Sequence, residues 1–164
     1  MAWLGVRYRL IRLGAGSVHY FVSLCALTRF LVMHMSGNLD PIIYVVDPDT
    51  RYRDELLRLL ERSGFRTEGY TSAEEFFSAD PVLLGSGCII AEMNLPGVSG
   101  LELLEMLQAR QSNFPMIILT GNPDVSNAVK ALQNKATDYL LKPMVERELL
   151  GRIRSAVRSS AASA

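Results

Sequence analysis

Histidine is nearly absent from this chain. The 164 residues include only His19 and His34. Both lie in the first 40 positions, so the body has no histidine for a zinc site, an acid–base dyad or a phosphohistidine relay. Cysteine is equally scarce. Cys25 and Cys88 cannot build a disulfide framework, and Cys88 sits in an apolar run as a small core residue, which reads as a reduced, cytoplasmic protein. Excess charge of either sign is also missing. The chain has 17 basic and 17 acidic residues, which leaves no electrostatic footprint for nucleic acid. Arg152, Arg154 and Arg158 read accordingly as the solvated face of a last helix. What remains is long enough for one domain with a real core.

The charge balance is uneven along the chain. Residues 1–40 carry Arg7, Arg9, Arg12 and Arg29 against Asp40 alone, while the remainder has 13 basic and 16 acidic residues. Leu13 to Thr28 is apolar or small, interrupted only by His19, and follows three arginines. That pattern resembles a secretory leader with a poor cleavage site at Leu24-Cys25-Ala26. It is short for a membrane span, which takes ~20 apolar residues. The preferred reading is a non-domain extension over residues 1–38, an over-extended start ahead of Met35. No membrane partner is expected unless residues 1–34 are genuine.

From Pro41 onward, apolar runs and amphipathic segments alternate. "IIYVVD" (42–47), "CIIAEM" (88–93) and "PMIILT" (115–120) are strands buried on both faces. "RTEGY" (66–70) is a polar edge strand and "DYLLK" (138–142) the last strand. Between and after them run helices. "TRYRDELLRLLERSGF" has Leu56, Leu57, Leu59 and Leu60 on one side and Gly64 as its stop. "SAEEFFSAD" opens with Ser72 and Glu75 at capping-box spacing. Then come "GLELLEMLQAR", "DVSNAVKALQNK" capped by Asp124, and "VERELLGRIRSAVRSS". Five strands alternating with five helices predict an α/β fold, a doubly wound five-stranded parallel sheet flanked by helices, over residues 39–160. Residues 161–164 follow as a short tail. In such sheets chemistry gathers beyond the carboxyl ends of the strands. Those ends are Asp47, Glu92, Thr120 and Lys142.

The markers "VVD", "LPGVSG", "ILTG" and "YLLKP" occur in that order. Glu92 to Thr120 spans 28 positions and Thr120 to Lys142 spans 22. The constellation resembles the receiver domain of bacterial response regulators, the CheY-like family with its flavodoxin-like fold, and especially the FixJ-type branch. The resemblance covers about residues 41–158. It implies two-component or phosphorelay signalling, in which an aspartate ending the third strand takes a phosphoryl group from a histidine kinase. A pair of acids after the first strand then helps hold Mg²⁺. Carried over by position, Glu92 stands at the phosphoacceptor site, and Thr120, Tyr139 and Lys142 are the switch residues. Asn94 matches the residue that offers a carbonyl to the metal, and the Lys142–Pro143 bond is expected to be cis. Each piece has a plainer alternative: an Asp47–Lys142 ion pair, Tyr139 as a strand aromatic, "LPGVSG" as a mere turn.

Two departures shape the functional expectation. Glu92 replaces the aspartate, and its extra methylene carries the carboxylate on by ~1.5 Å, one carbon–carbon bond. A misplacement of about 1 Å can cost ~100-fold in transfer. Pro48 replaces the second acid, leaving Asp47, Glu92 and the Asn94 carbonyl as a weak or absent Mg²⁺ site. Asp49 is better placed to cap the following helix. The expectation is an atypical stand-alone receiver with no catalytic residue, not an enzyme. Glu92 would reach Lys142 or Thr120 as a partial phosphomimic. Its partner would be a histidine kinase, another response regulator or a second copy, bound through the fourth helix, fifth strand and fifth helix. The alternatives are a phosphorylatable receiver using Glu92 with weakened Mg²⁺ binding, and a degenerate fragment of a FixJ-type regulator.

Overall fold

The β-branched and aromatic residues of Ile42–Val46 suit a pleated strand better than a helix turn, and they form β1. The other strands are β2 Arg66–Tyr70, β3 Gly87–Ala91, β4 Met116–Thr120 and β5 Asp138–Leu141. The computed structural model describes residues 41–162 apart from 82, 84, 85 and 113. All of these belong to one compact unit, Asp40–Ala164. The expectations for residues 1–38 lie outside the described residues.

The five strands form one parallel sheet in the order β2-β1-β3-β4-β5. This is the doubly wound flavodoxin-like arrangement, with its switch point between β1 and β3. The polar "RTEGY" strand takes an edge, as its composition requires. Helices α1 Thr50–Arg62, α2 Ala73–Ser78, α3 Gly100–Ala109, α4 Val125–Gln133 and α5 Glu146–Ala162 make the connections.

Because strand side chains alternate, each buried strand feeds two cores. Tyr44 and Val46 of β1 join Phe76, Ile89, Leu103, Leu107 and Ile118 on the face covered by α2, α3 and α4. Ile43 and Val45 join Leu56, Leu60, Ile90, Ile117, Leu149 and Ile153 on the face covered by α1 and α5. Burial of a side chain such as Leu60 or Phe76 contributes about 1.5–3 kcal/mol, and both are fully buried.

Helix starts are set by short polar side chains. Asp49, Ser72, Ser99 and Asp124 each accept a backbone N–H of the first turn of α1, α2, α3 and α4. The capping box expected at Ser72 closes on one side only. Ser72 Oγ accepts from Glu75 N at 3.1 Å. Glu75 Oε2 instead takes both the N–H and the hydroxyl of Thr71, each at 2.6 Å, because two donors there outcompete one at the cap. The reciprocal box is Ser99–Glu102 at the start of α3, which has the same S-x-x-E spacing and was not among the expectations. Helix α5 continues past Ser160 to Ala162, in keeping with the helix propensity of alanine.

Candidate functional site

The parallel register brings the carboxyl ends of β1, β3, β4 and β5 to one rim. Asp47 follows β1 and is 3% exposed. Its N–H donates to Tyr70 O at 2.9 Å, and its carbonyl accepts Arg53 Nη1 at 2.6 Å. Asp47 Oδ1 accepts Asp49 N at 2.9 Å. Glu92 follows β3, its N–H donating to Val46 O at 2.9 Å. Glu92 Oε1 accepts Asn94 N at 3.2 Å. Thr120 ends β4, fully buried, and its Oγ1 accepts Asn122 N at 3.2 Å. Lys142 follows β5, with its N–H on Thr120 O at 2.8 Å and a cis bond to Pro143.

Two of these side chains, Asp47 and Glu92, meet at the ammonium of a third. Lys142 Nζ lies 2.5 Å from Asp47 Oδ2 and 2.8 Å from Glu92 Oε2. Burial pushes the Glu92 carboxyl up, but hydrogen bonds from Lys142, Thr120 and the Asn94 N–H, with the charge of Lys142, outweigh it and hold the group below its ordinary value. Burial likewise pulls the Lys142 ammonium down. Its hydrogen bonds to Asp47 and Glu92 and their charges outweigh that and raise it. Both groups are therefore charged near neutral pH.

Of the residues singled out in the sequence, Asp47, Glu92, Thr120 and Lys142 converge, and Asn94 joins through its backbone N–H while its residue stays exposed. Pro48 is exposed beside the cluster and Asp49 caps α1. Tyr139 lies in β5 against the core of the α2–α4 face. Its hydroxyl is buried, and the Asp124 N–H faces it short of hydrogen-bonding geometry. Tyr52, which no motif singled out, has its ring centroid 4.0 Å from Lys142 Nζ. Its signal was present: an aromatic in the first turn of α1 points back over the strand end that the turn leaves.

A divalent cation such as Mg²⁺ requires near-octahedral oxygen ligands. Here all four carboxylate oxygens of Asp47 and Glu92 already accept a proton donor of the protein. Pro48 adds no carboxylate, and Asp49 Oδ1 is spent on Tyr52 N at 3.1 Å. Among the described residues no group of three or more His, Cys, Asp or Glu side chains gathers. The two rim carboxylates are thus shared by a resident ammonium, that of Lys142.

The strand order, the rim and its residue types define a signalling receiver. The profile of the response regulator receiver domain matches residues 43–154, and the chain belongs to that family, close to its FixJ-type members. It is 41% identical over 118 residues to the transcriptional regulatory protein FixJ of Bradyrhizobium diazoefficiens, covering 72% of this chain and 57% of that protein. It is 34% identical over 125 residues to the response regulator protein TmoT of Ectopseudomonas mendocina, covering 76% and 56%. The chain thus spans little more than half the length of these relatives. Among solved structures, full-length FixJ from B. japonicum superposes with a TM-score of 0.70 at 38% identity, covering 77% of this chain and 62% of that one. A CheY-like receiver domain protein from Methanospirillum hungatei superposes at 0.70 with 26% identity, covering 77% of this chain and 100% of that one. Among the described residues no helix is long and apolar enough to cross a membrane.

Proposed function

We propose that this chain is an atypical receiver that works by binding a protein partner rather than by cycling a phosphoryl group, and so is not an enzyme. One observation carries the reading: the Lys142 ammonium bridges Asp47 and Glu92. The carboxylate of Glu92 thereby engages the residues that in the family hold phosphoryl oxygens, as a partial mimic of that group. Mg²⁺ binds weakly or not at all, because an internal cation takes its place. The setting is cytoplasmic, and the signal passes from the rim through Tyr139 to the face made by α4, β5 and α5.

That face has the surface a partner needs. Val125, Val129 and Leu132 of α4 are exposed, as are Leu141 at the end of β5 and Val145 before α5. Val125, Val129 and Leu132 recur at helical spacing, so they share one side of α4. Grouped exposed apolar residues of this kind mark protein-binding surfaces. The partner is a second receiver, in the first instance another copy of this chain, or the kinase that addresses it.

The test is the intact mass of the full chain after acetyl phosphate with Mg²⁺. Transfer would form a phosphorus–oxygen bond to a carboxylate oxygen at residue 92 and break the one to acetate, which leaves. The control is the Pro48→Asp, Glu92→Asp double variant, which restores both family acids. We expect an adduct of one phosphoryl group on the control alone. An adduct on the unaltered chain, mapped to Glu92, overturns the proposal in favour of a phosphorylatable receiver.

A further inference from the structure

Tyr52 lies outside the family's switch and acceptor positions, yet it makes the rim's remaining contact. Its backbone is fixed by the α1 cap, with Tyr52 N on Asp49 Oδ1 at 3.1 Å. Its ring packs at the edge of the core shared with Leu56 and Leu60 and stands over Lys142 Nζ at 4.0 Å. The ammonium has Asp47 and Glu92 on one side and the negative face of an aromatic ring on another. Only 15% of the Lys142 side chain reaches solvent. A cation held over a ring gains most where water is excluded. The turn that lacks the second acid, at Pro48, therefore supplies an aromatic wall for the internal cation that stands in for the metal.

We infer that Tyr52 is a positioning residue that locks Lys142 between Asp47 and Glu92, so that an incoming phosphoryl group or cation enters the rim only after the ring has turned away. The inference rests on the proposed reading that the rim carries its own cation. It goes further by naming the residue that keeps the cation there. Tyr52 is only half-buried and its ring is joined to the helix by two rotatable bonds, so the lock is a side-chain motion and needs no change of fold.

The test has two readouts. Lys130, Lys135 and Lys142 are the only lysines in the chain, so carbon–proton spectra of lysine-labelled protein resolve the Lys142 ε-methylene, assigned with Lys142→Met. The ring current of Tyr52 should move those protons upfield in the unaltered chain and in Tyr52→Phe. Tyr52→Leu, which keeps the apolar packing and removes the ring, should return them to the position of Lys130 and Lys135. The second readout is the acetyl phosphate labelling rate in the Pro48→Asp, Glu92→Asp background. Adding Tyr52→Leu should raise it roughly three- to tenfold, the range that loss of one cation–π contact allows, while Tyr52→Phe leaves it unchanged. Unshifted protons in the unaltered chain, or equal labelling rates with and without the ring, overturn the lock. An adduct on the unaltered Glu92 chain would defeat the functional proposal alone, since the proton shifts report on Tyr52 whatever residue 92 does.

Discussion

Lys142 places one positive charge between two carboxylates, so its removal changes the protonation of what it leaves behind. In Lys142→Met, Glu92 loses the ammonium whose hydrogen bond and charge offset its burial, and a buried carboxylate without that partner is costlier to keep ionised. The Glu92 carboxyl, now below its ordinary 4.5, should rise above it. A carbon-detected titration of labelled glutamate checks this, and an unmoved Glu92 would mean that Thr120 and the Asn94 N–H hold it without help. The same shifts set a pH profile. The folded value of Glu92 is depressed, so its stabilisation is present above the ordinary carboxylate value and is lost as pH falls through the folded one. The folded value of Lys142 is raised from 10.5. Its contribution is therefore complete below that ordinary value and is lost as pH rises through the folded one. Glu92→Gln should flatten the acid limb of a urea-midpoint series between the two carboxyl values. A limb as steep as that of the parent would place the linkage on other acids.

At the scale of the element, Gly100 controls where Glu92 stands. It opens α3, donating its N–H to Met93 O at 2.8 Å, and a methyl there would lie 2.5 Å from the Glu92 carbonyl oxygen. The obstacle is backbone and cannot rotate away. Gly100→Ala should push α3 off the end of β3, costing about 1–3 kcal/mol as overpacking does. It should also move the Asn94 amide resonance, which reports the bond to Glu92. A stable variant with an unmoved Asn94 amide would show that the loop absorbs the methyl. Most of the element plan is legible in the residues themselves. The apolar run "IIYVV" and leucines a turn apart in α1 are local signals, and the strand ends Asp47, Thr120 and Lys142 follow from them. The contacts that are not legible depend on competition or on distance along the chain. Glu75 takes Thr71 over its cap, and Tyr52 meets Lys142 across 90 positions through a fold that spacing does not encode.

For the whole molecule, the rim and the α4–β5–α5 face are joined by β5, which carries half-buried Tyr139 in the strand and Lys142 just beyond its end. Asp138 of β5 also pairs with Arg152 of α5 at 3.2 Å, which ties the strand to the helix at the surface. If the charge on Glu92 biases that unit, it must change partner affinity and partner binding must act back on the rim, since the coupling is reciprocal. Sedimentation velocity over a concentration series should show self-association of the unaltered chain. Val129→Lys with Leu132→Lys should abolish it, since both residues are exposed and each gains a charge at the contact. Being exposed, the pair should leave the urea midpoint within about 0.5 kcal/mol per site. Glu92→Gln, which alters none of the exposed residues of that face, should weaken association in the same assay by about five- to tenfold, the lower range of coupling energies. Equal association with glutamate or glutamine would cut the link between rim and face and leave a scaffold with no mimic. A monomer at every concentration would remove the second copy as partner and send the search to the kinase.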